Sequence, residues 1–246
     1  MTDPRPDEHF PAPPYRIGIV GGMGPMAGVY LQQLIIEATP AERDQDHFEV
    51  VCFTNPHVPE RMRSLAEDGG RRYADAVRDS ARLLVGAGAT HIVIPCNTAH
   101  ARLSEIQAGV GAPILDMVSL AIEALRKAHG AERQAGLLAT VGTLNERVYE
   151  SRSAGAVAGW VVPETGDQAR VARAILAIKV GRAAQAAEEL VDVGRRLVDR
   201  GATVLVIGCT EISMCHAALE KLGVPLVDPL RVVAGHLVKV GRQERL

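Results

Sequence analysis

This chain of 246 residues is poor in the features that mark several large classes of protein. Aromatic side chains make up 3% of it, so few residues are present on which nucleic-acid bases would stack. The formal net charge is -2, so there is no basic surplus to attract nucleic acid or an anionic membrane. No apolar run approaches the roughly 20 residues that span a bilayer. We therefore expect neither nucleic acid nor a membrane as a partner.

Cysteine is also scarce. The four cysteines lack the close spacing of a disulfide framework, and no Cys-x-x-Cys or His-x-x-x-His pattern accompanies them. Residues 1–15 hold five prolines and several charges, without a basic segment followed by an apolar one. We therefore expect a disordered tail over residues 1–15, no secretory signal, no metal site and a cytoplasmic location.

What the chain does contain is an internal duplication. The stretch Gly88-Ala-Thr-His-Ile-Val-Ile-Pro-Cys96 is repeated as Gly201-Ala-Thr-Val-Leu-Val-Ile-Gly-Cys209. Each copy starts with Gly-Ala-Thr, continues through β-branched and apolar residues, and reaches a cysteine eight positions after the glycine. A Pro-containing segment that ends in aspartate follows each copy, at Asp116 and at Asp228. The duplication places one thiol in each of two related halves.

Short β-branched runs alternate with helical patterns along both halves, and the connections are short. This alternation predicts parallel sheets with right-handed crossovers. Among the elements we expect a helix over Glu67–Val85 and a fourth strand at Ile114-Leu115. The fold class is therefore α/β, with two similar doubly wound domains, each built on a mainly parallel four-stranded sheet. We predict a first domain over residues 16–117, completed by a C-terminal helix over residues 229–246, and a second over residues 118–228. The active site is expected in the cleft between them.

In open parallel sheets, ligands bind beyond the carboxyl ends of the strands. Loops at those ends contain small hydroxyls, amides, backbone donors and two thiols, in Gly22–Pro25, Thr54-Asn55, Cys96–Thr98, Thr140–Thr143 and Cys209–Glu211. We expect Met23 and Thr140 to contact a substrate, and Asn55 and Glu211 to support the site from behind. The glycine-rich loop lacks the last glycine of a dinucleotide fingerprint. These groups suit the binding of a carboxylate.

Two thiols that face each other across one cleft suit a particular reaction. One thiolate removes a proton from a chiral carbon, and the other thiol returns a proton to the opposite face. A lone cysteine at a strand end is more often a small buried hydrophobe, and that is our interpretation of Cys52 and Cys215. The matched positions of Cys96 and Cys209 favour the catalytic interpretation for those two.

Four segments in order resemble the aspartate/glutamate racemase family, and its aspartate racemase branch in particular. They are Ile17-Gly-Ile-Val-Gly-Gly-Met-Gly-Pro25, Pro95-Cys-Asn-Thr-Ala-His100, Leu138-Ala-Thr-Val-Gly-Thr143 and Gly208-Cys-Thr-Glu211. The resemblance covers essentially everything after residue 15. It implies racemisation of an acidic amino acid, most of all L-/D-aspartate, without pyridoxal phosphate or any other cofactor, by a protein that is usually a homodimer.

The resemblance also implies a role for each matching residue. Cys96 and Cys209 correspond to the paired acid and base. Arg61 corresponds to the basic residue that binds the side-chain carboxylate, and Lys179, in less sharply patterned surroundings, to its partner. The positions that hold the substrate's amino and α-carboxylate groups correspond to Asn97, Thr98, Thr143 and Thr210.

The sequence departs from the family's glutamate racemase branch at two places. Gly21-Gly22 stands where that branch usually has an Asp-Ser pair, and Glu211 stands where it has histidine. The departures disfavour a cell-wall glutamate racemase. Racemisation of another amino acid, isomerisation of an unsaturated diacid as in maleate isomerase, and a carboxylate-binding sensor without turnover stay open as alternatives.

Overall fold

A computed structural model describes residues 15–244. It contains two parallel sheets, as the sequence predicts, and helices on both faces of each. The first sheet has the strand order β2-β1-β3, with β1 at Arg16–Gly21, β2 at Glu49–Thr54 and β3 at His91–Val93. The second has the order β5-β4-β6-β7, with β4 at Gln134–Ala139, β5 at Gly159–Val161, β6 at Val204–Gly208 and β7 at Leu226–Val227.

The helices connect these strands. They are α1 (Pro25–Ala38), α2 (Arg61–Asp68), α3 (Arg71–Gly86), α4 (Leu103–Gln107), α5 (Met117–His129), α6 (Val141–Asn145), α7 (Thr165–Lys179), α8 (Ala183–Asp199), α9 (His216–Leu219) and α10 (Pro229–Glu244). Short 3-10 helices lie at Asp44–Asp46, Thr98–Arg102, Glu150–Arg152, Ile212–Cys215 and Glu220–Leu222. No helix within residues 15–244 is both long enough and apolar enough to cross a membrane.

Alternate residues of the strands enter different core layers, because successive side chains of a strand point to opposite faces. In β1, Ile17 and Ile19 pack with α1 and α10, whereas Val20 packs with α3. In β4, Leu137 packs with α5, whereas Leu138 packs with α7 and α8. Each sheet is therefore covered by helices on both sides.

The duplication extends to close packing within the core. A Cβ built on Gly18 would lie 2.8 Å from Ala89 Cβ and 2.6 Å from Ile92 Cδ1. A Cβ built on Gly136 would meet the equivalent alanine, Ala202, at 3.0 Å, and Leu205 Cδ2 at 2.6 Å. Each glycine therefore lets a strand approach its neighbours closely, and this sets the two sheets in equivalent positions relative to their helices.

Two local predictions require correction. The fourth strand expected at Ile114-Leu115 is a single bridge from Ile92 to Ile114, so the first sheet has three strands. The helix expected over Glu67–Val85 is two helices, α2 and α3, separated by Gly69 and Gly70. Both of these glycines have positive φ, a conformation that ends α2.

The ends of the described chain lie against the first sheet. Tyr15, which the predicted tail included, is fully buried and packs edge-on against Phe48 with ring centroids 5.6 Å apart. The rest of the predicted tail lies outside the described residues. Helix α10 packs on α1 and on α5, with Leu230, Val233 and Leu237 in the core layer beneath the first sheet. The predicted domain boundaries themselves stay predictions.

Candidate active site

A cavity of about 220 Å³ lies beyond the carboxyl ends of β1, β3, β4 and β6. This volume is smaller than the roughly 300–1,000 Å³ of sites for drug-sized ligands, so the cavity fits one small molecule. Ten residues singled out from the sequence line it: Met23, Arg61, Cys96, Asn97, Thr98, Thr140, Lys179, Cys209, Thr210 and Glu211. Both halves of the chain contribute to this set.

The two matched cysteines are both at the cavity and almost fully buried. Cys96 is 6% exposed and Cys209 is 5% exposed. Cys96 follows β3 and Cys209 follows β6, and each precedes a tight turn. The turn brings a backbone N–H to the sulfur, from Ala99 to Cys96 and from Glu211 to Cys209. The duplicated local structure therefore presents two thiols, one from each half, to the same space.

The surroundings of Cys96 have opposing effects on its acidity. Burial raises the pKa of the Cys96 thiol, because a thiolate is poorly solvated there. The positive charge of Arg61 and the N–H of Ala99 lower this pKa in part, the negative charge of Glu211 raises it, and Lys179 lowers it slightly. Cys96 is therefore a buried thiol whose thiolate is stabilised by two nearby cations.

The surroundings of Cys209 favour the protonated thiol more strongly. Burial raises its pKa well above the usual value, and the negative charge of Glu211 raises it further. The Cys209 thiol donates a hydrogen bond to Glu211 Oε2 over 3.1 Å, and that bond is lost when the thiol ionises. The two thiols thus differ, since cations lie near Cys96 and a carboxylate lies against Cys209.

Glu211 connects several parts of the site. It is 4% exposed, and its Oε1 accepts a hydrogen bond from the backbone N–H of Gly24 over 3.0 Å. The same oxygen lies 3.8 Å from Lys179 Nζ, while Oε2 accepts from Cys209. The buried charge is therefore paired and hydrogen-bonded, as a buried carboxylate requires. These contacts join the glycine-rich loop of the first half to the cysteine loop of the second.

Three threonine hydroxyls meet at the boundary between the halves. Thr98, Thr140 and Thr143 form a triangle in which each pair of Oγ1 atoms is 3.0 Å apart. Thr140 also caps α6 by accepting from the N–H of Thr143 over 3.1 Å. Thr98 and Thr140 line the cavity, whereas Thr143 is fully buried behind them. The expected contact of Thr143 with substrate stays a prediction.

Asn97 presents an amide nitrogen that has no partner among residues 15–244. The side chain is 3% exposed, its Oδ1 accepts from the Tyr149 hydroxyl over 2.6 Å, and its Nδ2 is buried without a hydrogen bond within the described chain. Thr210 donates instead to the backbone carbonyl of Pro95, over 3.1 Å. Sequence reasoning missed Tyr149, although it lies shortly after the Thr140–Thr143 segment.

Two cations of the cavity come from helices on opposite sides. Arg61 is the first residue of α2, half-buried, with Nη1 donating to the carbonyl of Pro59 over 3.3 Å. Lys179 is the last residue of α7, and its side chain is 36% exposed. Arg61 has no carboxylate partner within residues 15–244, whereas Lys179 lies near Glu211. A negatively charged ligand would therefore find Arg61 available.

Six further residues line the cavity that sequence reasoning did not single out: Glu60, Met62, Val141, Ala172, Ile175 and Leu176. Three of them lie on α7 at the i, i+3 and i+4 spacing that continues to Lys179. This spacing places them on the face that carries the lysine. The sequence contained a signal for these three residues: they lie seven, four and three positions before Lys179, so a helix would place them on the face that carries the lysine. The three residues on α7, Ala172, Ile175 and Leu176, make one wall of the cavity apolar.

Other candidates lie away from the cavity. Asn55, after β2, donates to the Ser80 hydroxyl over 3.2 Å and accepts from the N–H of His57, so it anchors its loop to α3. Its supporting role for the site stays a prediction. Cys52 lies half-buried in β2 and Cys215 is buried near α9, and all four cysteines are free. The described residues contain no group of three or more His, Cys, Asp or Glu placed to hold a metal ion.

Comparison with known proteins gives a family match over most of the chain. The family model described as Asp/Glu/Hydantoin racemase matches residues 20–237. The broad specificity amino-acid racemase RacX of Bacillus subtilis (strain 168) is 25% identical over 218 residues, which cover 86% of this chain and 92% of RacX.

Solved structures share the same architecture. The aspartate racemase of Picrophilus torridus superposes with a TM-score of 0.81 at 26% identity, over 94% of this chain and 100% of that one. The glutamate racemase of Thermus thermophilus, solved with β-chloro-D-alanine, superposes with a TM-score of 0.65 at 20% identity, over 95% of this chain and 83% of that one. The second likeness concerns the fold alone.

Proposed function

Because this chain belongs to the Asp/Glu/hydantoin racemase family, and is an isomerase of that class, we propose that it racemises an acidic amino acid. The proposed substrate is L-/D-aspartate. Cys96 and Cys209 act as the two bases, one on each face of the substrate's Cα, and pyridoxal phosphate takes no part. The observation that carries the proposal is the pair of buried thiols, from duplicated positions, at one cavity of about 220 Å³.

The reaction moves one proton off Cα and another onto it. In one direction, the Cys96 thiolate removes the Cα proton, and the electron pair left on carbon takes the proton of the Cys209 thiol from the other side. The enzyme then holds a Cys96 thiol and a Cys209 thiolate, which is the form that starts the reverse reaction. Burial supports this chemistry, since electrostatic interactions in the site are stronger where water is excluded.

Glu211 and the two cations make the thiols unequal in this scheme. Arg61 and Lys179 stabilise the Cys96 thiolate, while Glu211 accepts the Cys209 S–H. The resting enzyme therefore has Cys96 as the base and Cys209 as the acid. Once Cys209 has given up its proton, its thiolate lies beside the Glu211 carboxylate. That repulsion makes it a stronger base for the reverse direction.

The polar groups around the thiols provide sites for the rest of the substrate. The unpartnered Nδ2 of Asn97 is a donor for the α-carboxylate. The hydroxyls of Thr98 and Thr140 lie at the same end of the cavity and offer acceptors for the ammonium group. Arg61, with no carboxylate partner in the described chain, is a donor for a side-chain carboxylate. The dicarboxylate assignment depends mainly on this arginine.

A second candidate substrate class is favoured by one observation. Ala172, Ile175 and Leu176 of α7 form an apolar wall, and Met62 and Val141 add to it. An apolar wall accommodates an apolar side chain better than a carboxylate. A broad-specificity amino-acid racemase is therefore the alternative, and RacX, which bears that description, is among the relatives.

The test is a substrate panel with purified protein and no added pyridoxal phosphate. Each enantiomer of aspartate, glutamate, alanine and leucine is incubated in deuterated water. Proton NMR follows Cα exchange, and polarimetry follows net conversion. We expect fastest exchange with both enantiomers of aspartate; faster exchange with leucine would favour the broad-specificity alternative. Binding without exchange would indicate a carboxylate sensor, and conversion of maleate but of no amino acid would overturn the racemase proposal.

Cysteine variants test the two-base assignment directly. Cys96→Ser and Cys209→Ser replace a thiol by a hydroxyl that does not ionise near neutral pH, so each removes one base. Each variant should lose nearly all net conversion, yet exchange the Cα proton of one enantiomer, and the two variants should act on opposite enantiomers. Cys52→Ser is the matched control and should keep parent activity. Two variants that exchange the same enantiomer would sink the assignment.

The remaining family expectations are proposals of the same kind. A homodimer would cover exposed apolar side chains of α1, namely Met26, Val29 and Ile36. Light scattering of the purified protein measures the assembly, and a monomer at micromolar concentration would contradict it. The cytoplasmic location stays a prediction, which cell fractionation tests.

A further inference from the structure

Tyr149 contacts the site from the core and takes no part in the proton transfers described above. It follows α6 in the second half, is fully buried, and donates to Asn97 Oδ1, which belongs to the first half. We propose that Tyr149 is a positioning residue that fixes the Asn97 carboxamide with its Nδ2 toward the substrate carboxylate. This inference rests on the proposed function, which supplies the carboxylate.

The orientation of the Asn97 amide follows from its partners. A carboxamide has one end that accepts hydrogen bonds and one that donates them, and the hydrogen-bond network decides which end points where. The hydroxyl of Tyr149 has a proton to donate, and within the described chain its one hydrogen bond is the 2.6 Å contact with Asn97 Oδ1. The reverse orientation would leave that buried proton without an acceptor, which is costly. The Nδ2 end is therefore the one left for a ligand.

The charges around Tyr149 keep its proton in place. Burial raises the pKa of Tyr149 well above its usual value, and Asp228, the Cys209 thiol once it is ionised, and Asp116 raise it further. The positive charge of Arg152 opposes them only in part. Tyr149 is therefore a hydrogen-bond donor throughout the pH range in which the thiols work.

The ring of Tyr149 is held in place by its packing in the core. It packs edge-on against Trp160, with ring centroids 5.5 Å apart and planes at 64°. Trp160 in turn donates from Nε1 to the Ser153 hydroxyl over 3.0 Å. The donor is thus anchored in the second sheet, and its hydrogen bond fixes an amide that follows the first sheet. This contact aligns the carboxylate donor of one half with the scaffold of the other.

The unpartnered Nδ2 is the observation that points to a ligand. A buried donor without an acceptor is costly, so it marks a place where a bound group completes the network. The Tyr149 bond also polarises the amide, which strengthens its N–H groups as donors. Since the amide contacts the carboxylate before and during proton transfer, the loss of Tyr149 should affect substrate binding more than turnover.

A double-mutant cycle separates positioning from a general structural role. Tyr149→Phe should raise KM for aspartate about tenfold and change kcat less than about threefold. In an Asn97→Ala background the same change should alter KM less than about twofold, because the amide that Tyr149 orients is gone. Tyr15→Phe is the matched control, since its hydroxyl is also buried but has no partner within residues 15–244. An equal effect of Tyr149→Phe in both backgrounds would overturn the inference.

A second measurement does not depend on turnover. The chain has three asparagines, Asn55, Asn97 and Asn145, so asparagine labelled with ¹⁵N in the side-chain amide gives three NMR signal pairs. Asn97→Ala assigns its own pair by deletion. Tyr149→Phe should shift or broaden the Asn97 pair and leave the other two in place. An unchanged Asn97 pair would overturn the inference even if the enzyme racemises aspartate, whereas a changed pair in a protein without turnover would contradict only the proposed function.

Discussion

Replacement of Glu211 by glutamine tests the asymmetry of the two thiols most directly. The side chain keeps its size but loses its charge and one of its two acceptor oxygens. Those oxygens accept from Cys209 over 3.1 Å and from the N–H of Gly24 over 3.0 Å. If the new NH₂ group faces Gly24, it meets the backbone N–H that Oε1 accepted from; if it faces Cys209, it donates to the sulfur and the Cys209 S–H loses its acceptor. Either orientation therefore removes one of the two contacts.

The expected loss follows from the nature of these bonds. Glu211 is 4% exposed, so solvent does little to screen its interactions. A hydrogen bond to a buried charged group contributes roughly 1.5–3 kcal/mol. Because this bond keeps Cys209 in the protonated form that supplies the proton to Cα, its loss should lower kcat/KM about 10- to 150-fold. The two enantiomers have equal free energies in water, so kcat/KM must fall by the same factor in both directions.

The pH profile gives a second and independent readout. Activity requires one thiolate and one thiol, so kcat/KM should rise as the first thiol ionises and fall as the second does. Burial and then the charge of Glu211 raise the pKa of Cys209, which delays the second ionisation in the parent enzyme. Without that charge the pKa of Cys209 decreases. The descending limb of the Glu211→Gln profile should therefore lie at lower pH than that of the parent.

The assay is Cα exchange and net conversion of aspartate between about pH 6 and 10. Glu60→Gln is the matched control, because Glu60 lines the same cavity but uses its carboxylate to cap α2 through the N–H of Arg63. The control should stay within about threefold of the parent. A Glu211→Gln enzyme with parent activity and an unmoved descending limb would refute the argument from charge.

Three further outcomes are expected. Arg61→Ala should raise KM for aspartate about tenfold or more, since an arginine–carboxylate contact contributes roughly 1.5–3 kcal/mol. Arg63 is exposed on the same helix, so Arg63→Ala is the control and should leave KM unchanged. If Arg61→Ala raised KM for alanine by the same factor, the assignment of Arg61 to the side-chain carboxylate would be wrong. Burial lowers the pKa of His100, whose neutral ring both donates and accepts hydrogen bonds. The free energy of unfolding should therefore decrease as the pH falls from about 6.5 toward that lower pKa. Chemical denaturation of His100→Gln should show a smaller decrease in this free energy over the same pH range. Gly22→Ala should lower the free energy of unfolding by about 3 kcal/mol or more, since φ is +108° and a Cβ would collide with the backbone after β2. Gly155 has φ +68° and open space around it, so Gly155→Ala should lower that free energy by only about 1 kcal/mol. Equal decreases for the two variants would contradict this prediction.

Much of the fold was predictable because the sequence marks its strand ends clearly. The runs that end at Cys96 and Cys209 are β-branched, start after a Gly-Ala-Thr turn, and occur twice. Parallel strands place their carboxyl ends at one edge, so the two cysteine loops and the glycine-rich loop were expected to meet. The structure places ten of the predicted residues at one cavity. The family and its racemase class also followed from these loops.

Local signals were insufficient where a segment is short or its ends depend on glycine. Gly69 and Gly70 divide the predicted long helix, because both adopt positive φ, which lets the chain turn between α2 and α3. The turn leaves Arg61 at the first position of α2 and beside the cavity. Ile114 forms one bridge where a strand was predicted, although the equally short run Leu226–Val227 of the second half does form a ladder.

The sequence by itself determined the two halves, their parallel sheets and the position of a thiol after one strand in each. These features depend on patterns of a few residues, which a linear chain displays directly. Tertiary structure alone decided that Thr143 lies behind Thr98, that α7 lines the cavity with an apolar face, and that Tyr149 binds Asn97 across 52 positions of sequence. The physical reason is that hydrogen bonds between the halves depend on how two folded sheets pack against each other, and no local pattern encodes that distance.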